Sequence, residues 1–179
     1  MKYLIYTLII SAVCWILSEV MEITSGSRTS ITLWLTSAFH FFIAFGIWGA
    51  YSGQDHKKSS LSLVAVVMVS VGYLILVYPP IAVSLTPTMT ITEFMEVNVP
   101  FKFAALLAVL GTILFGVSIL RHKSYAAWIG IALVVCPVIF SAVMILGGFE
   151  QIAAIANLVE SGALIAISLR VLSSEPVDA

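Results

Sequence analysis

Six apolar stretches of roughly 18–24 residues, near 3–23, 31–52, 61–80, 100–120, 125–147 and 149–172, constrain this chain more than any other feature it has. Each is long enough to cross a hydrocarbon core about 30 Å thick as a helix. Lipid offers no water to satisfy free backbone N–H and C=O groups, so a single-stretch crossing must be helical. Composition agrees. Of the 179 residues, 61% are apolar and 9% are charged, with a mean hydropathy of +1.12. A soluble domain carries about 45–50% apolar and about 25% charged residues, so ordinary globular, disordered and disulfide-scaffold classes are excluded. The expected fold is an all-α integral membrane protein, a six-transmembrane-helix bundle occupying residues 1–172, followed by a short cytoplasmic tail at 173–179.

The connections predict how the spans are arranged. Those from Thr24 to Ser30 and from Gly53 to Ser60 are short and polar, and Gly147 and Gly148 make the turn into the sixth span. Short links of this kind join antiparallel helical hairpins. The long connection, 79–99, carries Thr86, Thr88, Thr90 and Thr92 and is expected outside the hydrocarbon. Thr90 and Glu93 have capping-box spacing for a short helix, and Pro100 stands where the first turn of the fourth span should begin. Lys2, Lys57, Lys58, Arg121, Lys123 and Arg170 share one side of this arrangement, with Arg28 and Lys102 on the other. The positive-inside rule then places both termini in the cytoplasm, in a multi-pass protein of the cell membrane, the inner membrane of a bacterium.

The net charge of −1 gives no basic field for nucleic acid. Cys14 and Cys136 lie inside apolar runs and read as small buried hydrophobes. A retinal-type Schiff base needs a lysine inside the membrane, and Lys102 lies near a span end. Di-metal carboxylate bundles need two Glu-x-x-His motifs, but His40 is the single histidine within a span, so no metal or cofactor is expected. Trp15, Trp34, Trp48 and Trp128, with Tyr3, Tyr51, Tyr78 and Tyr125, read as an interfacial belt. A short echo between Ser18–Ile23 and Thr92–Val97 places an E-x-x-E segment in each, a similarity that apolar sequences produce readily by chance.

What remains is a set of ionisable residues where lipid should be. A carboxylate at a helix centre costs about 2.5–3.5 kcal/mol on insertion scales, so such groups face the bundle interior and mark a site. At 1.5 Å per residue, Glu160 falls about 17 Å below the outer boundary, His40 at similar depth, and Glu19 about 6 Å below the outer end of the first span with Glu22 one turn above it. Glu22 and Glu150 at the pocket entrance, then Glu19, His40, Asn157 and Glu160 within, form a descending series with no counterpart in the inner half. The expected function is a buried polar pocket open to the outer face that binds or transports a small cationic or hydrogen-bonding solute. His40 facing Glu160 is the expected floor. The alternatives are an accessory subunit holding a membrane-protein partner or a second copy through its polar intramembrane face, and a small membrane enzyme acting on a lipid or quinone with His40 and Glu160 as acid and base.

Overall fold

The computed structural model describes residues 2–54, 59–86, 89–146 and 150–174, with the side chains of Thr92 and Glu150 excepted. Lys57, Lys58 and Thr88, the Gly147–Gly148 turn and most of the 173–179 tail therefore lie outside the described residues. Every described element is helical: α1 (Lys2–Ser25), α2 (Ser30–Ser52), α3 (Ser60–Leu76), α4 (Tyr78–Leu85), α5 (Ile91–Val97), α6 (Val99–His122), α7 (Ala127–Leu146) and α8 (Glu150–Ser174). Six spans are long and apolar enough to cross a membrane: α1, α2, the α3–α4 run Ser60–Leu85, α6, α7, and α8 from Gln151.

Local chemistry sets the boundaries. Gly26, at φ +69, ends α1 and returns its N–H to the Glu22 carbonyl at 3.0 Å. Thr29 then caps α2 reciprocally with Thr32, each side chain taking the other's backbone N–H. The Thr90–Glu93 box expected from spacing is present on α5, where the Glu93 carboxylate accepts from the Thr90 N–H at 2.7 Å and from its hydroxyl at 2.9 Å. Those two donors hold the Glu93 carboxyl below the usual carboxylate range.

One boundary differs from expectation. The stretch from Pro79 reads in sequence as the start of a long loop, yet the helical run continues to Leu85. Val77 keeps helical dihedrals (φ −59, ψ −36), and Pro79 and Pro80 occupy the first turn of α4, where proline's fixed φ suits a helix start. Pro79, Pro80 and Val83 are buried, and α4 packs on α2.

The long helices pack in a closed circuit: α1 on α2, α2 on α3, α3 on α6, α6 on α7, α7 on α8, and α8 back on α1. Glycines let several of these pairs approach. A Cβ at Gly46 would lie 2.6 Å from the Leu8 backbone, one at Gly72 would lie 2.6 Å from the Ala108 nitrogen, and one at Gly111 would lie 2.7 Å from the Val69 nitrogen. In membranes small residues serve this close approach, since lipid gives helices no hydrophobic drive to associate.

The core is largely apolar, with Ile5, Leu8, Phe115 and Leu164 fully buried, but it also holds polar residues, and the outer surface is apolar as well. Ser11, Ser18, His40, Ser62, Asn157 and Ser161 are all buried, whereas Ile10, Phe41, Val71, Leu106, Val135 and Ile155 are exposed. Polar groups inside join helix to helix: Ser18 Oγ donates to the Thr32 carbonyl at 3.1 Å, Ser70 Oγ to the Ala44 carbonyl at 2.7 Å, and Ser62 Oγ meets Ser118 Oγ at 2.6 Å. So large an apolar outer surface is the mark of a protein solvated by lipid.

Candidate functional site

At the end of the bundle that carries the α1–α2 connection, a cleft of about 790 Å³ opens between the helices. Residues of the α1 C-terminus (Glu22), the α2 N-terminus (Ser30), the α7 C-terminus (Met144) and the α8 N-terminal turns (Gln151) all line it, and Thr90 at the head of α5 closes one side. Among the described residues its charged lining is Glu19, Glu22 and Arg28, two carboxyls against one guanidinium. Arg28 Nε donates to Glu22 Oε2 at 3.1 Å, so Glu22 is neutralised by its neighbour across the turn. Glu19 stands three residues further into α1 and has a different partner: Asn157 Nδ2 of α8 donates to its Oε1 at 2.5 Å. Asn157 is buried and Glu19 half-buried. Glu19, Glu22 and Asn157, grouped by the sequence reading, thus share one cleft, while the Glu150 side chain lies outside the described residues.

His40 and Glu160 do not line that cleft. Nor does the structure join them to each other: among the described residues no hydrogen bond or ion pair links His40 to Glu19 or Glu160. His40 Nδ1 lies 2.8 Å from the Leu76 carbonyl. The reason is a proline. In an unbroken helix the Leu76 carbonyl would accept from residue 80, but Pro80 has no N–H, and a freed carbonyl inside a membrane needs another donor. Ser37, one turn before His40, donates to the adjacent Val77 carbonyl at 3.1 Å. A carbonyl can only accept, so Nδ1 carries a ring proton, which in the neutral imidazole leaves Nε2 as the acceptor. The expected His40–Glu160 floor is therefore replaced by an imidazole fixed to the α3–α4 joint.

Around it lies a cluster of rings from α1, α2 and α3. His40 sits 5.3 Å, centroid to centroid, from the Tyr73 ring of α3 and 6.0 Å from Trp15 of α1. Phe39 contacts both Trp15 and Tyr73 edge-on. Cys136 of α7 and Glu160 of α8 stand at the depth of His40 along their helices, and Thr112 of α6, buried, donates to the Ala108 carbonyl of its own helix at 3.0 Å. Trp15, His40, Cys136 and Glu160 each stand ten residues from the helix end that borders the cleft, about 15 Å along the axis.

Sequence reasoning missed Tyr73, Thr112 and Cys136, and took Trp15 for part of an interfacial belt. Trp15 packs against the core instead, and its Nε1 is buried without an acceptor in hydrogen-bonding geometry. The available signal was position. Trp15 and Tyr73 both fall well inside their spans, where a ring with a polar tip is out of place unless something within the bundle meets it.

Six helices able to span a bilayer, with large apolar side chains exposed along them, define a multi-pass membrane protein in a lipid environment. Compared with models of known families, with curated proteins and with solved structures, the chain has no significant match to any of them.

Proposed function

We propose that this protein binds, and in its cycle transports, a small cationic or hydrogen-bonding solute taken from the outer face of the cell membrane. The single observation that carries the reading is the Glu19–Asn157 bond in the wall of the 790 Å³ cleft, which fixes a carboxyl at a position a solute can reach without the guanidinium that neutralises Glu22. Asn157 contributes an amide carbonyl besides the donor it has committed, so a bound ammonium or hydroxyl would meet two acceptors from two helices. Glu22 and Glu150 belong to the entrance in this reading. His40 and Glu160 lie deeper, outside the cleft lining.

The reading includes the orientation, with residues 1–172 as one domain of antiparallel hairpins, both termini cytoplasmic and the cleft outward. Lys and Arg placement supports it. So do the pairings of Leu8 with Gly46 and Ile5 with Gly49, which run in opposite senses along α1 and α2.

The test is ligand-dependent thermal stabilisation of the full chain in nanodiscs, using tetramethylammonium, ethanolammonium and guanidinium against uncharged analogues of each. At least one cation should raise the unfolding temperature of the wild type and leave Glu19→Gln unmoved. Equal stabilisation of Glu19→Gln and the wild type by every cation would remove the cleft carboxyl from the reading.

A further inference from the structure

We propose that the outer cleft is built for one class of solute, an organic monocation with an apolar body, whose ammonium head meets Glu19 and Asn157 while its hydrocarbon part lies against α7. The inference rests on the cleft reading above and adds to it the charge and shape of what is bound.

The charge of the lining sets the head. Glu22 and Arg28 form a neutral pair at 3.1 Å, so among the described lining residues one formal negative charge remains, on Glu19. Several of the other polar side chains are engaged within their own segments: Thr29 in the cap of α2, Thr90 with Glu93, and Ser84 with the Ile81 carbonyl at 2.7 Å. The Glu19–Asn157 pair differs from these, because it joins two spans deep in the cleft. Glu19 lies six residues in from the end of α1 and Asn157 seven in from the start of α8, about 9–11 Å below the helix ends. A carboxylate at that depth is costly unless an opposite charge meets it, and a single ammonium makes the occupied cleft neutral.

The walls set the rest of the molecule. From α7 the described lining takes Phe140, Val143 and Met144, at i, i+3 and i+4 on one helix face, and no polar side chain. Leu33 of α2 and Val83 of α4 add further apolar groups. Phe140 stands six residues in from the end of α7, at the level of Glu19 and Asn157, so the deepest part of the lining holds a carboxyl and an aromatic ring. Such a ring attracts an ammonium and packs against an aryl or alkyl group. Size agrees: 790 Å³ falls within the range of about 300–1,000 Å³ that buries drug-sized ligands, and a bare ammonium would fill a small part of it. A neutral apolar solute would leave Glu19 without a counter-charge, and an inorganic cation would leave the α7 wall without a contact.

The experiment uses the full chain in nanodiscs, with binding read by titration calorimetry and the signal of empty nanodiscs subtracted. Tetramethylammonium is the head alone, benzyltrimethylammonium the head with an apolar body, and benzyl alcohol the body without the charge. Benzyltrimethylammonium should bind roughly tenfold or more tightly than tetramethylammonium, as burial of a ring requires. Phe140→Ala should remove most of that difference and leave tetramethylammonium affinity unchanged, whereas Glu19→Gln should weaken both cations severalfold. Should Phe140→Ala not fold, Met144→Cys in a Cys14→Ala, Cys136→Ala background gives the same answer. At equal occupancy benzyltrimethylammonium should slow modification of the new thiol by a methanethiosulfonate severalfold more than tetramethylammonium does.

Equal affinities of the two cations, a difference that persists in Phe140→Ala, or equal protection of the thiol by both overturns the apolar body. If Glu19→Gln still weakens tetramethylammonium in that case, the cleft reading stands without it. If Glu19→Gln binds both cations as the wild type does, the cleft reading fails and the inference with it. Equal affinity for benzyl alcohol and benzyltrimethylammonium overturns the assignment to a cation.

Discussion

Asn157 is the residue on which most of the cleft geometry depends, because it ties α8 to α1 through a single charge-assisted bond. Replacing it with leucine leaves a half-buried carboxyl without its donor, a loss of about 1–3 kcal/mol. We expect Asn157→Leu to lower the thermal unfolding temperature clearly, and the double variant Glu19→Gln/Asn157→Leu to regain part of it, since the unpaired carboxylate has gone. Additive losses in that cycle would mean the two side chains do not interact. The sequence made Glu19 and Asn157 candidates through their depth, and a depth estimate needs only the rise per residue. It could not pair His40 with Leu76, because that contact depends on how α2 is rotated and on which α3 carbonyl the prolines free. The prolines themselves were visible. Pro80 marks Leu76, four residues earlier, as a carbonyl in want of a donor, and His40 and Ser37 are among the few donors in the neighbouring span.

At the scale of the helices, spans and caps followed from pattern: apolar length gave six crossings, and Thr90 with Glu93 gave α5. Which helix touches which did not follow, since apolar residues ring every span and the sequence marks no single inward face. Glycine positions carry part of that missing information. Gly72 has backbone of α6 where a Cβ would be, 2.6 Å away at Ala108, whereas nothing stands within 4 Å of a Cβ at Gly162 in α8. Gly72→Ala should therefore destabilise the protein by about 1–3 kcal/mol through overpacking. Gly162→Ala should be neutral or stabilising by about 0.5–1 kcal/mol, as alanine restricts the unfolded chain and suits a helix. Thermal unfolding of the two variants side by side checks this, and a harmless Gly72→Ala would contradict the α3–α6 packing. The two E-x-x-E segments also part company at this scale: Glu19 reaches across to another helix, and Glu93 caps its own.

For the whole molecule the proposed orientation makes a direct prediction. Ser27, exposed in the α1–α2 turn, lies at the mouth of the cleft. In a Cys14→Ala, Cys136→Ala background, Ser27→Cys should react with a membrane-impermeant maleimide in intact cells, and a cysteine at Thr88 should do the same. Labelling that needs lysis would reverse the orientation and turn the cleft toward the cytoplasm. At this scale the proposed orientation rests on charge placement, a bias that depends on a few Lys and Arg residues and not on packing.

The closed circuit of helices also bears on how the protein is made. Glu19 leaves the ribosome 138 residues ahead of Asn157, the partner that satisfies it. At about 5–20 residues per second that interval is roughly 7–28 s. Through that time α1 sits in or beside the bilayer with an unsatisfied carboxyl, and a chain that ends before α8 never acquires the missing amide. Synthesis of α8 thus completes the circuit and relieves the polar group that α1 introduced. An unfinished copy carries a polar defect in its first helix, the kind of feature that membrane proteases and chaperones can detect.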